Sequence, residues 1–382
     1  MRLDKFEMER LQSTWENRVR FNLSESSVHP MSPRELVPDE EYLARLLDAP
    51  LVYNQSNGTD ELRSAIAALY PGATLDHVEV TNGGSEANFI SIYAMLEPGD
   101  EVVIILPNYQ QIWGLIRSFG MVVKEVLLRE ELNWAPDLAE LEAAASPRTR
   151  MIVLCNPNNP TGAILTEAEM DAIVRIAAKS GAWILADEIY QGSERSGRTT
   201  ATFWGKYGRV IITNGLSKAY GLPGLRIGWI VAPKDIIAKM WSYHDYTTIA
   251  PGTLSDSLAR IAVSPEGRAR CFGRTRDICR KNFPLFQSWM ESHGTLFRMV
   301  EPKAGAIAYV RYNLSVNSTA LIERLLKEKS VLVVPGDHFG MDRYLRIGYG
   351  PAPDYLQQGL ELVREVIAEL KQKDQRASSR VR

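Results

Sequence analysis

The chain has 382 residues, with 44 Lys and Arg against 46 Asp and Glu. Single cores stop growing at roughly 250–300 residues, so two packed units are expected. A net charge of −2 leaves no broad basic field, which argues against nucleic acid and makes small molecules the default partners.

The three cysteines, Cys155, Cys271 and Cys279, form neither a CxxC pair nor an even framework. They read as reduced thiols of a cytoplasmic protein, and no metal is expected. Apolar runs are strand-sized, far below the ~20 residues of a membrane helix, and no signal-peptide pattern opens the chain.

Residues 4–20 carry Phe6, Leu11, Trp15 and Val19, the last three at a spacing of four, which predicts a helix with one apolar face. Residues 22–30 follow neither period and read as a loop or extended arm. From about residue 60 to 260, the runs Val78–Val80, Val102–Leu106, Met151–Leu154, Trp183–Ala186, Val210–Thr213 and Ile227–Val231 alternate with helix-length segments. That alternation predicts a largely parallel sheet covered on both faces, with chemistry at the strands' carboxyl ends. Beyond residue 280 come a long helix, strand Ala306–Arg311, a helix over Thr319–Lys329, strands Val331–Val334 and Tyr344–Gly348, and a last helix from Asp354. This predicts a compact α+β unit. The polar residues 371–382 are expected to be a frayed tail.

Several strand ends carry chemistry. Thr81-Asn82-Gly83-Gly84-Ser85 opens a helix, and its free N–H groups and positive dipole end suit a phosphate. Tyr109 follows a strand and offers an aromatic face, although buried aromatics often only fill a core. In Asn156-Pro157-Asn158-Asn159-Pro160-Thr161-Gly162 two prolines stiffen the turn, so Asn159 is held in one direction.

Asp187 ends an apolar strand and needs a cationic partner, or else caps the next helix; Tyr190 follows three residues later. Lys218 lies in Leu216-Ser217-Lys218-Ala219-Tyr220-Gly221-Leu222-Pro223-Gly224-Leu225-Arg226. A neighbouring cation or a desolvated pocket makes such an amine nucleophilic enough for a Schiff base, while Ser217 and Arg226 offer donors to a phosphate. Arg346 presents a fork that matches a carboxylate, or is a surface arginine on its strand.

Taken in order, these segments resemble class I/II aminotransferases, the fold-type I pyridoxal-phosphate (PLP) enzymes. The resemblance implies a large, mostly parallel mixed-sheet domain flanked by helices (residues 46–285) and a smaller α+β domain (286–370), with the N-terminal helix and arm (1–45) packing on the latter. It implies a Schiff base at Lys218, Asp187 on the ring nitrogen, and Asn159 and Tyr190 on the phenolic oxygen. Tyr109 would stack on the ring, and Gly84, Ser85, Ser217 and Arg226 would bind the phosphate. Arg346, with Asn159, would take the substrate carboxylate. Tyr53 would reach the phosphate of a partner subunit, which implies a homodimer.

The chain departs from the pattern at Gly215, where many relatives carry Ser or Thr; Thr213 is the candidate substitute. Within the family, Ser26-Ser27-Val28-His29, the run Leu216–Trp229 and residues 331–348 are similar to capreomycidine synthase-like cyclases, which act on hydroxylated arginines. A guanidinium needs carboxylates, and Glu7, Glu9 and Glu25 lie on the N-terminal segment; Glu7 and Glu9 also fit a solvated helix face. Ser27 is a further substrate-side candidate, and His29 is either a proton carrier or a turn residue before Pro30. The reactions implied are elimination with cyclisation or plain transamination. A binding module without turnover is a third reading, which the Schiff-base lysine argues against.

Overall fold

The computed structural model describes residues 3–37 and 39–380. Strand β1 (Phe21–Asn22) lies in the arm, and a central sheet follows from β2 (Val78–Thr81), β3 (Glu101–Leu106), β4 (Val122–Leu127), β5 (Thr149–Cys155), β6 (Trp183–Asp187), β7 (Val210–Gly215) and β8 (Gly228–Val231). The C-terminal strands are β9 (Phe297–Arg298), β10 (Ile307–Tyr312), β11 (Val331–Leu332), β12 (Val334–Pro335) and β13 (Tyr344–Gly348).

The seven-stranded sheet has the order β2-β8-β7-β6-β5-β3-β4 and is parallel except at β8, which runs antiparallel to both neighbours. Because side chains alternate along a strand, each apolar run supplies two cores. Val103, Ile105, Ile152 and Leu154 pack on one face, and Val102, Ile104, Met151 and Val153 on the other. Full burial of each such side chain contributes about 1.5–3 kcal/mol. Strand β4 escapes the sequence reading because it is an edge strand, VVKEVL, with most of its residues partly or fully exposed.

The smaller unit holds an antiparallel sheet, β12-β13-β10-β9. The expected strand Val331–Val334 is divided: β11 pairs in parallel with β1, and β12 pairs with β13. The arm is stitched to this unit, with Phe21, Leu23 and Val28 in its core, and Leu23 hydrogen-bonds Leu332 and Gly348.

The expected boundary at residue 285 falls inside one helix, Pro265–Glu291. That helix serves both cores, Cys271 joining the large one and Cys279, Phe283 and Phe286 the small one. The last helix runs from Pro353 to Arg380; Val381 and Arg382, at the end of the expected tail, lie outside the described residues. Among the described residues, no helix is long and apolar enough to cross a membrane.

Candidate active site

A cleft of about 350 Å³ opens at the carboxyl ends of β5 and β6, between the central sheet, the arm and β13. Strand ends, turns and one helix start deliver its floor: Gly84, Ser85, Tyr109, Asn159, Asp187, Tyr190, Ser217, Lys218 and Arg226 all line it, with Arg346 from β13. A larger hollow of about 770 Å³ lies beside residues 3–7 and the end of β3, and holds none of these groups.

Gly83 adopts φ 99°, and a Cβ there would lie 2.2 Å from the Arg226 guanidinium, so glycine is required for that close approach. Among the described residues Arg226 bonds only the carbonyls of Pro223 and Asn82, leaving donors for an anion at the start of helix Gly84–Met95. Position 215 has no room for a side chain, since a Cβ would meet the Ile227 carbonyl at 2.8 Å. Thr213 cannot serve as its substitute: it is buried outside the cleft lining and donates to Asn88 Oδ1 at 2.7 Å.

Asp187 is buried. Burial pushes its pKa up to about 6, against the opposing effects of the Ile189 N–H, the Asn88 amide and Lys218. No Lys, Arg or His among the described residues pairs with it. Burial likewise pushes the Tyr190 hydroxyl up, so it stays a phenol, donating to Ser26 Oγ at 2.8 Å.

Arg346 is 1 % exposed, with Asn159 Oδ1 at 3.1 Å, the Ser24 carbonyl at 2.7 Å and Gln12 Oε1 at 3.4 Å. Among the described residues its Nε has no partner, and Glu25 and Glu9 act on it only through their charge. A buried guanidinium so placed is short of one anion.

Lys218 Nζ meets Glu25 Oε1 at 2.8 Å. Burial would raise the Glu25 pKa, but the charge and hydrogen bond of Lys218, with Arg346 and the Ser26 N–H, hold it at about 2. Glu9 lies 3.4 Å from the Tyr109 hydroxyl, and Glu16 completes an acidic wall. Burial, then Glu25 and Glu9, raise the pKa of Glu16. Glu16 escapes the sequence reading, although its spacing of seven from Glu9 puts both on one helix face.

Residues 39–363 match the family described as aminotransferase class I and II. The chain belongs to this aminotransferase family. Capreomycidine synthase of Streptomyces vinaceus is 33 % identical over 311 residues, 81 % of this chain and 79 % of that protein. An aspartate aminotransferase of Streptomyces avermitilis is 30 % identical over 339 residues, 84 % and 82 %. Among solved structures, a PLP-dependent aminotransferase from Streptococcus suis 89-1591 superimposes with a TM-score of 0.90 at 30 % identity, covering 97 % and 99 % of the chains. The PLP-dependent cyclase OrfR gives 0.88 at 27 % identity, covering 98 % of each.

The protein is thus a class I/II PLP enzyme of fold-type I. Its own groups fit the cofactor: Asp187 lacks a cation that a protonated ring nitrogen would supply, Arg226 faces the glycine turn with donors free, and Lys218 reaches the cleft.

The arm departs from expectation in three places. Ser27 does not face substrate space; it is buried and donates to the Ser217 carbonyl at 3.0 Å, pinning the arm to the lysine loop. His29 is exposed outside the cleft, with Nδ1 3.1 Å from the Gly350 carbonyl, as a turn residue would be. Glu7 lines the larger hollow and pairs with Lys5 at 3.0 Å.

The N-terminal helix ends at Trp15 and buries Met8 and Gln12 rather than the Leu11-Trp15-Val19 stripe. Its inward face is selected by Arg346, which both residues touch. Tyr53 is 85 % exposed and lies outside its own cleft.

Proposed function

We propose that the protein binds a free amino acid bearing a side-chain hydroxyl and a guanidinium, removes the hydroxyl as water and closes a ring through a guanidinium nitrogen. The observation that carries this reading is the wall of Glu9, Glu16 and Glu25 in the same cleft as a carboxylate-free Arg346. An α-carboxylate on Arg346 would leave the guanidinium to the acidic wall. Among the described lining residues the cations are Lys218, Arg226 and Arg346. With these assigned to cofactor, phosphate and α-carboxylate, none is left for a second substrate carboxylate.

PLP, when bound, supplies the electron sink for the pair left at the α-carbon. Asp187 would hold the proton on the ring nitrogen, with Asn159 and Tyr190 on the phenolic side. Tyr109 would cover the ring, and Gly84, Ser85, Ser217 and Arg226 would hold the phosphate. Lys218 Nζ, once free, would take the α-proton and pass it to the departing hydroxyl, which leaves as water; the attacking nitrogen would then give up a proton, and Lys218 would return one to the α-carbon, so that one water is lost overall. Glu25 would orient Lys218 and then the guanidinium, while Ser27 holds the arm over the cleft.

The likeness to aspartate aminotransferases favours a second reading, transamination. The two separate cleanly. A cyclase converts a hydroxylated arginine over many turnovers with loss of one water and no 2-oxo acid. A single stoichiometric turnover that restarts only on adding a 2-oxo acid would replace cyclisation by transamination.

The reading includes a cytoplasmic homodimer. Leu51, Val52, Tyr53, Tyr246 and Ile249 form an exposed apolar face, whose segments are joined through Trp241 to Ser56 and Thr253 to the Val52 carbonyl.

A further inference from the structure

Behind the Asn82-Gly83-Gly84 turn lies a buried cluster that the reaction does not use. His244, the last residue of helix Lys234–His244, is fully buried between two carboxylates. Its Nδ1 lies 2.8 Å from Glu79 Oε1 on β2, and its Nε2 lies 3.3 Å from Glu86 Oε2, in the first turn of helix Gly84–Met95. Arg63 also acts on Glu79.

Glu86 Oε2 accepts from the Asn82 N–H at 2.5 Å, and its Oε1 accepts from Thr248 Oγ1 at 2.7 Å. Thr248 Oγ1 in turn accepts from Asn82 Nδ2 at 2.5 Å.

The geometry sets the state of the ring. The single Thr248 proton is spent on Glu86, so both oxygens near His244 Nε2 are acceptors, Thr248 Oγ1 at 3.2 Å and Glu86 at 3.3 Å. Nδ1 faces the Glu79 carboxyl, which burial pushes up to about 7 against the hydrogen bond and charge of His244. A ring that donates at both nitrogens is an imidazolium, which the carboxyl end of its own helix also favours.

We infer that His244 is a positioning residue for the cofactor phosphate: it fastens the strand entering the glycine turn to the helix leaving it, and cancels the Glu86 charge that would otherwise repel a dianion there. The pKa is consistent with this: burial opposes the charge, but the two glutamates raise His244 to about 9. Without the cation, Glu86 remains a carboxylate at the helix end where an anion must bind.

The inference rests on placing the phosphate at this turn, as proposed above. The test titrates apoprotein with PLP and with pyridoxal, which lacks the phosphate. His244→Gln should weaken PLP about tenfold or more, about 1.4 kcal/mol per decade, and leave pyridoxal unchanged. Adding Glu86→Gln to that variant should restore most of the loss, because it removes the uncompensated charge. Equal weakening of both ligands, or of neither, overturns the inference.

Ser85→Ala is the control for the site itself. No phosphate-selective loss there overturns the phosphate placement and this inference with it; a selective loss there but none in His244→Gln overturns the inference alone. If His244→Gln does not fold, the nitrogen resonances of His244 in the native apoprotein decide: two protonated ring nitrogens at neutral pH are expected, and a neutral ring overturns it.

Discussion

Asp187→Asn should stabilise the apoprotein while disabling the enzyme. The unfolded Asp titrates near 3.8, and burial pushes the folded carboxyl up to about 6. Between those values the folded state binds more protons than the unfolded one, so stability falls as pH rises through the window. The cost is fully present above about pH 6. At roughly 1.4 kcal/mol per pH unit, the gap between 3.8 and 6 corresponds to about 3 kcal/mol.

Asparagine keeps the bond from the Ile189 N–H. Asn88 is held with its NH₂ toward Asp187 by Thr213, so an amide there loses up to about 1 kcal/mol, leaving about 2 kcal/mol of net gain. Thermal denaturation of cofactor-free protein between pH 4 and 8 is the assay. The variant should melt higher above pH 6, and the two proteins should converge toward pH 4. With PLP bound the order should reverse, and turnover should fall by orders of magnitude, because an amide cannot hold the ring nitrogen protonated. A variant less stable than wild type at pH 7 without cofactor, or a difference independent of pH, would refute the reasoning.

Borohydride reduction of the yellow holoenzyme and peptide mapping should place the label on Lys218, and Lys218→Ala should abolish it; a label on another lysine removes the assignment. Glu16→Gln and Glu9→Gln should raise KM for a guanidino amino acid several-fold with little change in kcat, since uniform binding is what they remove. Arg346→Lys should weaken every amino acid, and steady-state kinetics with and without a guanidinium on the substrate separate the two effects. Tyr53→Phe should weaken cofactor retention. Mixing it with Lys218→Ala subunits should yield hybrid dimers with one intact site, and activity no greater than that of the separate parents would exclude a shared site.

The sequence by itself determined the cofactor chemistry and the central sheet, for a local reason. Asp187 ends a strand, and Lys218, Asn159 and the Gly83-Gly84 turn each follow one; a strand end, a stiffened turn or a helix start carries its own geometry wherever it sits. The apolar runs of β3 and β5 are readable because alternation serves both faces of one sheet. Edge strand β4 lacks that burial and was hidden.

Tertiary structure decided everything that depends on residues far apart meeting. Glu25 and Lys218 lie 193 positions apart and share a 2.8 Å ion pair. Glu16 joins the cleft only because Met8 and Gln12 seat its helix on Arg346. Ser27 turns to the backbone of the lysine loop, and His29 stays at the surface, because the arm runs beside Gly348 and Gly350, where no Cβ would fit. His244 finds Glu79 165 positions away and nothing in its local sequence marks it. A side chain's type says what it can bond, but packing alone selects which partner it meets, since burial demands that each polar group be paired within reach.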